Sequence, residues 1–482
     1  MIDSRSEVKE FFEQVQFSLT SSLAKFILSL VLALCIAFIP DYSLLEGAAK
    51  LMLFILVFGA GLWISEAIPA FSVSLLIIGL EILLLGFYDI SFSSGSKEWE
   101  NFLAPWSSPL VFLFLAGFIL ATAASKTKLD LWIAKKVLFY VGNKPEDILT
   151  GLMAITFGLS MFVSNTATTA MMLTVLIPIL KNINDDNPYQ KAILLGVVVA
   201  ANIGGMSTII GTPPNAIAVG IMGDNAPSFV GWMFFAMPPA IAITVGIRYL
   251  LLKLYPSNQE LISFKALRNV DHYDDSTTEF VKRPTIPSWK KKVVILGFGV
   301  TILLWLTGPI HHIPTTLISF IPIIFFTLFG IINSDDIRSI RWDVIILIIG
   351  GLTLGLGVTK TGLDLWFASL LPDGLNSIVI LLIIFSYLVV LVSNFMSNTA
   401  ASNIMLPIVI AMSVALSADA LVLSAIAIAL SASFAMALPV STPPNAIMYS
   451  SGKLQSKDFL TIGITVGLLA PIIVLSWLFL VL

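Results

Sequence analysis

Long apolar segments separated by short polar ones run through most of the chain. A membrane-spanning helix needs roughly 20 apolar residues, and the segments that meet this need predict eleven crossings. They lie near residues 26–40, 48–68, 71–90, 108–126, 190–222, 226–252, 292–310, 314–333, 341–360, 419–450 and 458–481. The pattern therefore predicts an all-α polytopic membrane protein.

Two further apolar stretches, 147–181 and 376–414, are interrupted near the middle by polar residues. The arm that follows the first interruption, Ala167 to Leu180, would be roughly 21 Å long as a helix, which is shorter than the ~30 Å hydrocarbon core. We therefore predict two re-entrant hairpins, each with a polar tip near the middle of the membrane.

Composition supports a lipid environment. Hydrophobic residues make up 57% of the 482 residues and charged residues 11%, whereas roughly 25% are charged in soluble proteins. This balance argues against a cytosolic enzyme, a nucleic-acid-binding protein or a disulfide scaffold. The serines of the interrupted stretches have no neighbouring histidine or carboxylate that could activate them, so neither an enzyme nor an organic cofactor is expected.

Basic residues predict the orientation, because Lys and Arg collect in cytoplasmic loops. The polar segment 253–291 is rich in both, so we place it inside as an amphipathic linker. With both interrupted stretches taken as hairpins, all of the 26 basic residues except Lys50, Lys97 and Lys360 then fall on the cytoplasmic side. The N-terminus is predicted in the cytoplasm and the C-terminus outside, in a multi-pass protein of the cell membrane.

The chain also contains an internal repeat. KTKLDLWIA at 126–134 returns as KTGLDLWFA at 360–368, SNTA at 164–167 returns at 397–400, and GTPPNAI at 211–217 returns as STPPNAI at 441–447. Each copy holds five crossings and one hairpin, so the second copy is inverted, as in many secondary transporters. A duplication kept only for packing is disfavoured, because the matched residues are polar or break helices.

These boundaries predict four regions. Residues 1–47 form the N-terminal tail and first span, and residues 48–252 form the first repeat, with a cytoplasm-side hairpin at 147–181. The linker 253–291 follows, and residues 292–482 form the second repeat, with an outer hairpin at 376–414.

The repeated motifs predict four helix N-termini near mid-membrane. Ser, Asn and Thr cap helix starts, so the SNT motifs and the threonine before each double proline are predicted caps. A double proline breaks a span and suits the start of a new helix. Helix N-termini, amides and hydroxyls together favour an anion that carries oxygens. Ser160 and Ser393, one turn before each SNT, could join carbonyls near Gly211 and Ser441 to cage Na⁺; the alternative is a hydrogen bond to their own helix.

The pairing of SNTATTAMML with GTPPNA, and of SNTAASNIML with STPPNA, resembles the divalent anion:sodium symporter family of dicarboxylate transporters. The resemblance implies a homodimer of eleven-span subunits, each with a scaffold and a transport domain that moves as an elevator. It also implies C4-type substrates such as succinate, malate or fumarate, with 2-oxoglutarate and citrate as further candidates, and Na⁺ as the co-transported ion.

The resemblance carries site residues with it. Those implied to hold the substrate are Ser164, Asn165, Thr166, Ser397, Asn398, Thr399, Thr212, Pro213, Thr442 and Pro443. Those implied to frame Na⁺ are Ser160, Ser164, Asn165 and Gly211 in the first repeat and Ser393, Asn398 and Ser441 in the second.

Two alternatives stay open at this point. After the shared SNTA, the first repeat reads TTA and the second reads ASN at 401–403, and the family also contains exchangers that swap dicarboxylates without sodium. An anion channel is the more remote alternative, since a channel has no need for mirror-related hairpins.

Overall fold

The computed structural model describes residues 4–42, 45, 47–87, 98–262, 287–371 and 377–482. Most of the predicted linker 253–291 lies outside these ranges. In chain order the α-helices are α1 (Ser4–Phe38), α2 (Ala48–Ser65), α3 (Ala70–Glu81), α4 (Pro109–Lys126), α5 (Leu129–Tyr140), α6 (Pro145–Ser160), α7 (Asn165–Leu180), α8 (Tyr189–Gly205), α9 (Pro213–Met222), α10 (Phe229–Leu254), α11 (Ser288–Leu306), α12 (Gly308–His311), α13 (Thr315–Leu328), α14 (Ser334–Arg338), α15 (Trp342–Lys360), α16 (Leu363–Ser369), α17 (Ile378–Ser393), α18 (Asn398–Leu416), α19 (Ala420–Ala432), α20 (Pro443–Tyr449) and α21 (Ser456–Val481). A short π-helix occupies Ile82–Phe87, and 3₁₀-helices occupy Glu98–Ser107 and Gly223–Asn225.

Eight of the described helical segments are long and apolar enough to cross a membrane, which confirms a polytopic membrane protein. They are Ser21–Phe38, Ala48–Ser65, Ala70–Phe87, Trp99–Lys126, Phe229–Leu254, Trp342–Lys360, Asn398–Leu416 and Ser456–Val481. Five further apolar helices have 10–17 residues. One of the five, α7, has 16 residues and is therefore roughly 24 Å long, whereas its counterpart α18 has 19.

The helices form two compact units. The first comprises Met1–Ser108, Trp342–Leu381 and Thr399–Leu421. There α3 packs on α15, and α2 packs on α1 and α3. The approach of α3 to α15 depends on Gly350, since a Cβ at that position would lie 2.3 Å from the Cβ of Ser74.

The second unit comprises Pro109–Arg341, Leu382–Asn398 and Val422–Leu482. Helix α8 is its centre and is buried along almost its whole length, with α6, α7, α10 and α20 packed against it. A Cβ on Gly204 would lie 2.6 Å from the carbonyl oxygen of Phe157, so glycine permits the close contact of α6 with α8. The first-repeat helices α7 and α8 both contact the second-repeat helix α20.

A charged cluster joins the starts of α8 and α21 within this unit. Lys191 Nζ lies 3.1 Å and 3.0 Å from the two carboxylate oxygens of Asp458, and the Tyr255 hydroxyl donates to the same group at 3.0 Å. Asp458 also accepts from the backbone N–H of Gln455 and so caps α21. Burial, together with the bond to Asp458 and its negative charge, raises the pKa of Tyr255 to about 12.

Candidate functional site

The first SNT motif ends one helix and begins the next. Helix α6 stops at Ser160, and after four residues α7 starts at Asn165, with the Ser164 side chain accepting from the backbone N–H of Ala167. The predicted cap at Ser164 is confirmed. The first backbone bond that closes α7 is donated by Thr168 to the carbonyl of Ser164. The N–H groups of Asn165 and Thr166 precede it, and they are the donors that a helix start presents to an anion.

Ser160 faces away from its own helix backbone. Its Oγ lies 2.7 Å from Asn165 Oδ1 and 2.7 Å from the carbonyl oxygen of Ala201 on α8. A hydroxyl has one proton, so Ser160 donates to only one of these two acceptors at a time. Three oxygens therefore meet here around a single proton.

The second repeat reproduces this arrangement. Ser393 Oγ lies 2.8 Å from Asn398 Oδ1 and 3.1 Å from the carbonyl oxygen of Ala432. Both serines are fully buried. The repeat seen in the sequence is therefore also present in these contacts. Ser160 corresponds to Ser393, Asn165 to Asn398 and Ala201 to Ala432.

Two glycines close the first cluster. A Cβ on Gly205 would lie 2.2 Å from Asn165 Oδ1, and a Cβ on Gly211 would lie 2.2 Å from the carbonyl oxygen of Gly205. Any side chain at either position would displace these oxygens. Gly211 was implied by the family resemblance, whereas Gly205 follows from the structure alone.

The asparagines of the TPPN motifs fasten the loops that precede them. Asn215 Nδ2 lies within hydrogen-bonding distance of the carbonyls of Gly205, Met206 and Thr208, the last at 2.7 Å. Asn445 Nδ2 makes the corresponding bonds to the carbonyls of Met436 and Leu438, at 2.9 Å and 2.8 Å. Both asparagines are fully buried, so each loop is held by its own motif.

The two loops differ in which hydroxyl fastens them. In the first, Thr208 Oγ1 donates to the carbonyl of Met161. In the second, Ser441 Oγ lies 3.2 Å from the corresponding carbonyl of Asn394 and 3.1 Å from the Asn394 side-chain oxygen. The hydroxyl of Ser441, one of the predicted sodium ligands, therefore has partners of its own.

The two TPPN helices also start differently. Thr442 caps α20 by accepting from the N–H of Asn445, as predicted. Thr212 occupies the same position before α9 but makes no side-chain cap, so that prediction is wrong. Instead, the N–H of Asn215 donates to the backbone carbonyl of Thr212.

The prolines limit what these two helix starts can donate. The first two residues of α9 and of α20 are proline and have no N–H. The N–H of the third residue already has an acceptor in each helix. Asn215 donates to the Thr212 carbonyl in α9, and Asn445 donates to the Thr442 hydroxyl in α20. Of α7, α9 and α20, it is therefore α7 whose first amides precede the backbone ladder, and the TPPN starts contribute their dipoles.

Asn202 of α8 connects the repeats and was not predicted. Its Nδ2 donates to Thr442 Oγ1 at 3.2 Å and to Asn445 Oδ1 at 3.4 Å. Thr442 Oγ1 in turn donates to Asn445 Oδ1 at 2.8 Å. All three side chains are buried. The sequence signal was a single amide in the apolar run VVVAANIGG.

The structure places the remaining predicted residues as follows. Ser164, Asn165, Thr166 and Pro213 are half-buried, as is Asn398, and Ser397 and Pro443 are exposed. Thr399 is buried in the first turn of α18 and belongs to the first unit. The side chains that hold the loops, Asn215, Asn445, Thr208 and Asn394, were not predicted as site residues, although Asn215 and Asn445 lie in the quoted motifs.

Comparison with known proteins identifies the family. The family profile described as "Sodium:sulfate symporter transmembrane region" matches residues 20–481. A sodium-dependent dicarboxylate transporter of Staphylococcus saprophyticus is 32% identical, with 93% of this chain and 88% of the relative covered. A transporter of the same name from Staphylococcus aureus is also 32% identical, over 86% of this chain and 82% of the relative.

A solved structure shares the fold. It is that of Neisseria gonorrhoeae MtrF, whose title describes a class of antimetabolite efflux pumps, with a TM-score of 0.54, 9% identity and coverage of 90% of this chain and 95% of the other. At this identity the likeness concerns the fold alone. The family profile and the two relatives together show that the chain belongs to the sodium:sulfate symporters, the divalent anion:sodium symporter family, and is a membrane transporter rather than an enzyme.

Proposed function

We propose that this chain is a secondary active transporter of C4-type di- and tricarboxylates that couples uptake to Na⁺. Succinate, malate and fumarate are the expected substrates, with 2-oxoglutarate and citrate as further candidates. The observation that carries the proposal is the pair of matching oxygen clusters at Ser160 with Asn165 and at Ser393 with Asn398. The relatives' name, sodium-dependent dicarboxylate transporter, supports it.

The oxygen clusters suit a small hard cation. Each brings a hydroxyl, an amide oxygen and a helix carbonyl within hydrogen-bonding distance, and such oxygens are the ligands that hard cations prefer. A Na⁺ ion bound there would bring positive charge to these oxygens. On this proposal two transported Na⁺ ions are bound. One is framed by Ser160, Ser164, Asn165 and Gly211, and the other by Ser393, Asn398 and Ser441.

The neighbouring groups suit a carboxylate. The amides of Asn165 and Thr166 at the start of α7 lie beside the accessible side chains of the motif, and the dipole of α7 favours negative charge there. We assign one carboxylate to Ser164, Asn165 and Thr166. The second carboxylate is assigned to the repeated motif, Ser397, Asn398 and Thr399, with the TPPN residues Thr212, Pro213, Thr442 and Pro443 beside them.

None of the site residues named above carries a formal charge. A bare dianion away from water is costly, so neutralisation by co-bound Na⁺ gives a physical reason for coupling: the substrate binds well only when cations are present. An unloaded site attracts the anion weakly. A fixed Arg or Lys would instead hold the anion whether or not Na⁺ was bound.

The family resemblance supports the remaining parts of the proposal. These are eleven spans with re-entrant hairpins at 147–181 and 376–414, and inverted repeats. They also include a transport domain that moves as an elevator against a scaffold, and a homodimer. The distribution of basic residues supports a cell-membrane protein with its N-terminus in the cytoplasm and its C-terminus outside.

Uptake into proteoliposomes tests the proposal. With Na⁺ outside, labelled succinate uptake should saturate and should be inhibited by unlabelled malate and fumarate but not by the monocarboxylate acetate. Succinate inside the vesicles should accelerate uptake if the protein is a carrier. Flux that rises linearly with concentration, with electrical conductance, would indicate a channel and would refute the proposal.

A further inference from the structure

Asn202 belongs to the first repeat, yet its hydrogen bonds go to the second. It lies on α8, and its Nδ2 lies within hydrogen-bonding distance of both Thr442 Oγ1 and Asn445 Oδ1, at 3.2 Å and 3.4 Å. Its side chain is 1% exposed, and its own oxygen has no hydrogen-bond partner. Burying an amide oxygen without a partner is costly, so a residue kept only for packing would more stably be apolar.

The repeat offers no equivalent contact in the other direction. Ser160 contacts the carbonyl of Ala201, and Ser393 contacts that of Ala432, so these two alanines are equivalent positions in the repeats. The residue that corresponds to Asn202 is therefore Ser433. The Ser433 hydroxyl is buried and has no partner, and neither has the side-chain oxygen of Asn215. The oxygen of Asn445, by contrast, has two donors, Thr442 and Asn202.

These two donors make Thr442 free to change partner. In the structure the Thr442 hydroxyl donates to Asn445 Oδ1 at 2.8 Å. If it turned toward a substrate carboxylate, Asn445 Oδ1 would still keep the N–H of Asn202. Without Asn202, the same rotation would leave a fully buried acceptor unpaired.

We propose that Asn202 is a positioning residue for substrate binding, which acts by releasing the Thr442 hydroxyl for the substrate carboxylate. This inference rests on the proposed function, since it assigns Thr442 to a carboxylate. It also makes the two repeats unequal. In the second repeat the Thr442 hydroxyl can turn to the substrate while Asn445 Oδ1 keeps the N–H of Asn202, whereas the first repeat has no equivalent contact.

The test is Asn202→Leu, which keeps the approximate size and removes the donors. In this variant Asn445 Oδ1 retains the Thr442 hydroxyl as its donor, so the melting temperature without substrate should not fall. The KM for succinate should rise about tenfold while kcat stays within about twofold of wild type. The upward shift of the melting temperature on adding succinate with Na⁺ should shrink.

A matched control lies on the same helix. Gln190 is buried and its Nε2 donates to the carbonyls of Ile183 and Asn184, so Gln190→Leu should lower the melting temperature and leave KM unchanged. In a Thr442→Val background Asn202→Leu should add little further loss, because the hydroxyl to be released is gone. Asn202→Ser, which keeps one donor, should give an intermediate KM and serves as the test if the leucine variant does not fold.

Each outcome discriminates. An unchanged KM in a folded Asn202 variant, or losses that multiply independently in the Thr442→Val background, would overturn the inference while wild-type succinate uptake upheld the proposed function. If the wild-type protein takes up none of the dicarboxylates, the proposed function fails first, and the inference fails with it.

Discussion

The hydroxyl of Ser160 lies 2.7 Å from the side-chain oxygen of Asn165, across the break between α6 and α7. The same contact recurs at 2.8 Å between Ser393 and Asn398 in the second repeat. Each serine also reaches a carbonyl of a neighbouring helix. The duplicated chain thus builds the same small oxygen cluster twice.

Replacing either asparagine should abolish transport. Asn165→Ala and Asn398→Ala each remove the amide oxygen shared with the buried serine, and on the proposed function they also remove a carboxylate ligand. We expect succinate uptake at background in both, with normal yield and elution on gel filtration. Asn182→Ala is the control, because the Asn182 amide only donates to the carbonyl of Pro178; retained uptake in either of the first two variants would remove that residue from the site.

The serines should determine sodium affinity. Ser160→Ala deletes one oxygen of the first cluster, so the Na⁺ concentration for half-maximal uptake should rise about tenfold, and Ser393→Ala should act in the same direction. Thr156→Val is the matched control, since Thr156 lies one turn earlier on α6 and donates only to the carbonyl of Leu152 in its own helix. An unchanged sodium dependence in both serine variants would contradict the cation assignment.

Gly205 should tolerate no side chain. In Gly205→Ala the new Cβ would lie 2.2 Å from Asn165 Oδ1, so that oxygen must move and the cluster must open. Uptake should fall at least about tenfold. Gly158→Ala on α6 adds the same methyl group where nothing lies within 4 Å, and it should transport normally; equal behaviour of the two variants would show that the cluster geometry does not matter.

The Lys191–Asp458 pair should stabilise the second unit. Asp458→Ala leaves the partly buried Lys191 and Tyr255 without their acceptor and removes a helix cap. The free energy of unfolding should therefore fall by about 1–3 kcal/mol. Asp185→Ala removes the partner of Lys453 in an exposed pair and should cost less than about 0.5 kcal/mol. Thermal unfolding of the purified variants compares the two, and a larger loss for Asp185→Ala would contradict this ranking.

Local chemistry in the sequence predicted where helices begin. Ser164 caps α7 and Thr442 caps α20 because short polar side chains and prolines have strong preferences at helix starts. The same reasoning failed at Thr212, where the same PPNAI follows the threonine but the turn closes through the backbone carbonyl instead. A cap is a choice between two acceptors of similar strength, and tertiary surroundings decide it.

Long-range contacts could not be predicted in this way. The sequence left Ser160 with two options, and only the packing of α6 on α8 brings the carbonyl of Ala201 into reach. Asn202 was missed for a related reason. Its partners are 240 and 243 residues away, and comparison of the repeats obscures it because Ser433 stands at the equivalent position.

The most direct test is the accumulation of labelled succinate in proteoliposomes that contain no dicarboxylate, driven by an inward Na⁺ gradient. We predict sodium-dependent accumulation above the external concentration, which disappears when Na⁺ is replaced by K⁺ and when Ser160 and Ser393 are both changed to alanine. Uptake that requires internal dicarboxylate and is indifferent to Na⁺ would contradict sodium symport and would establish exchange instead.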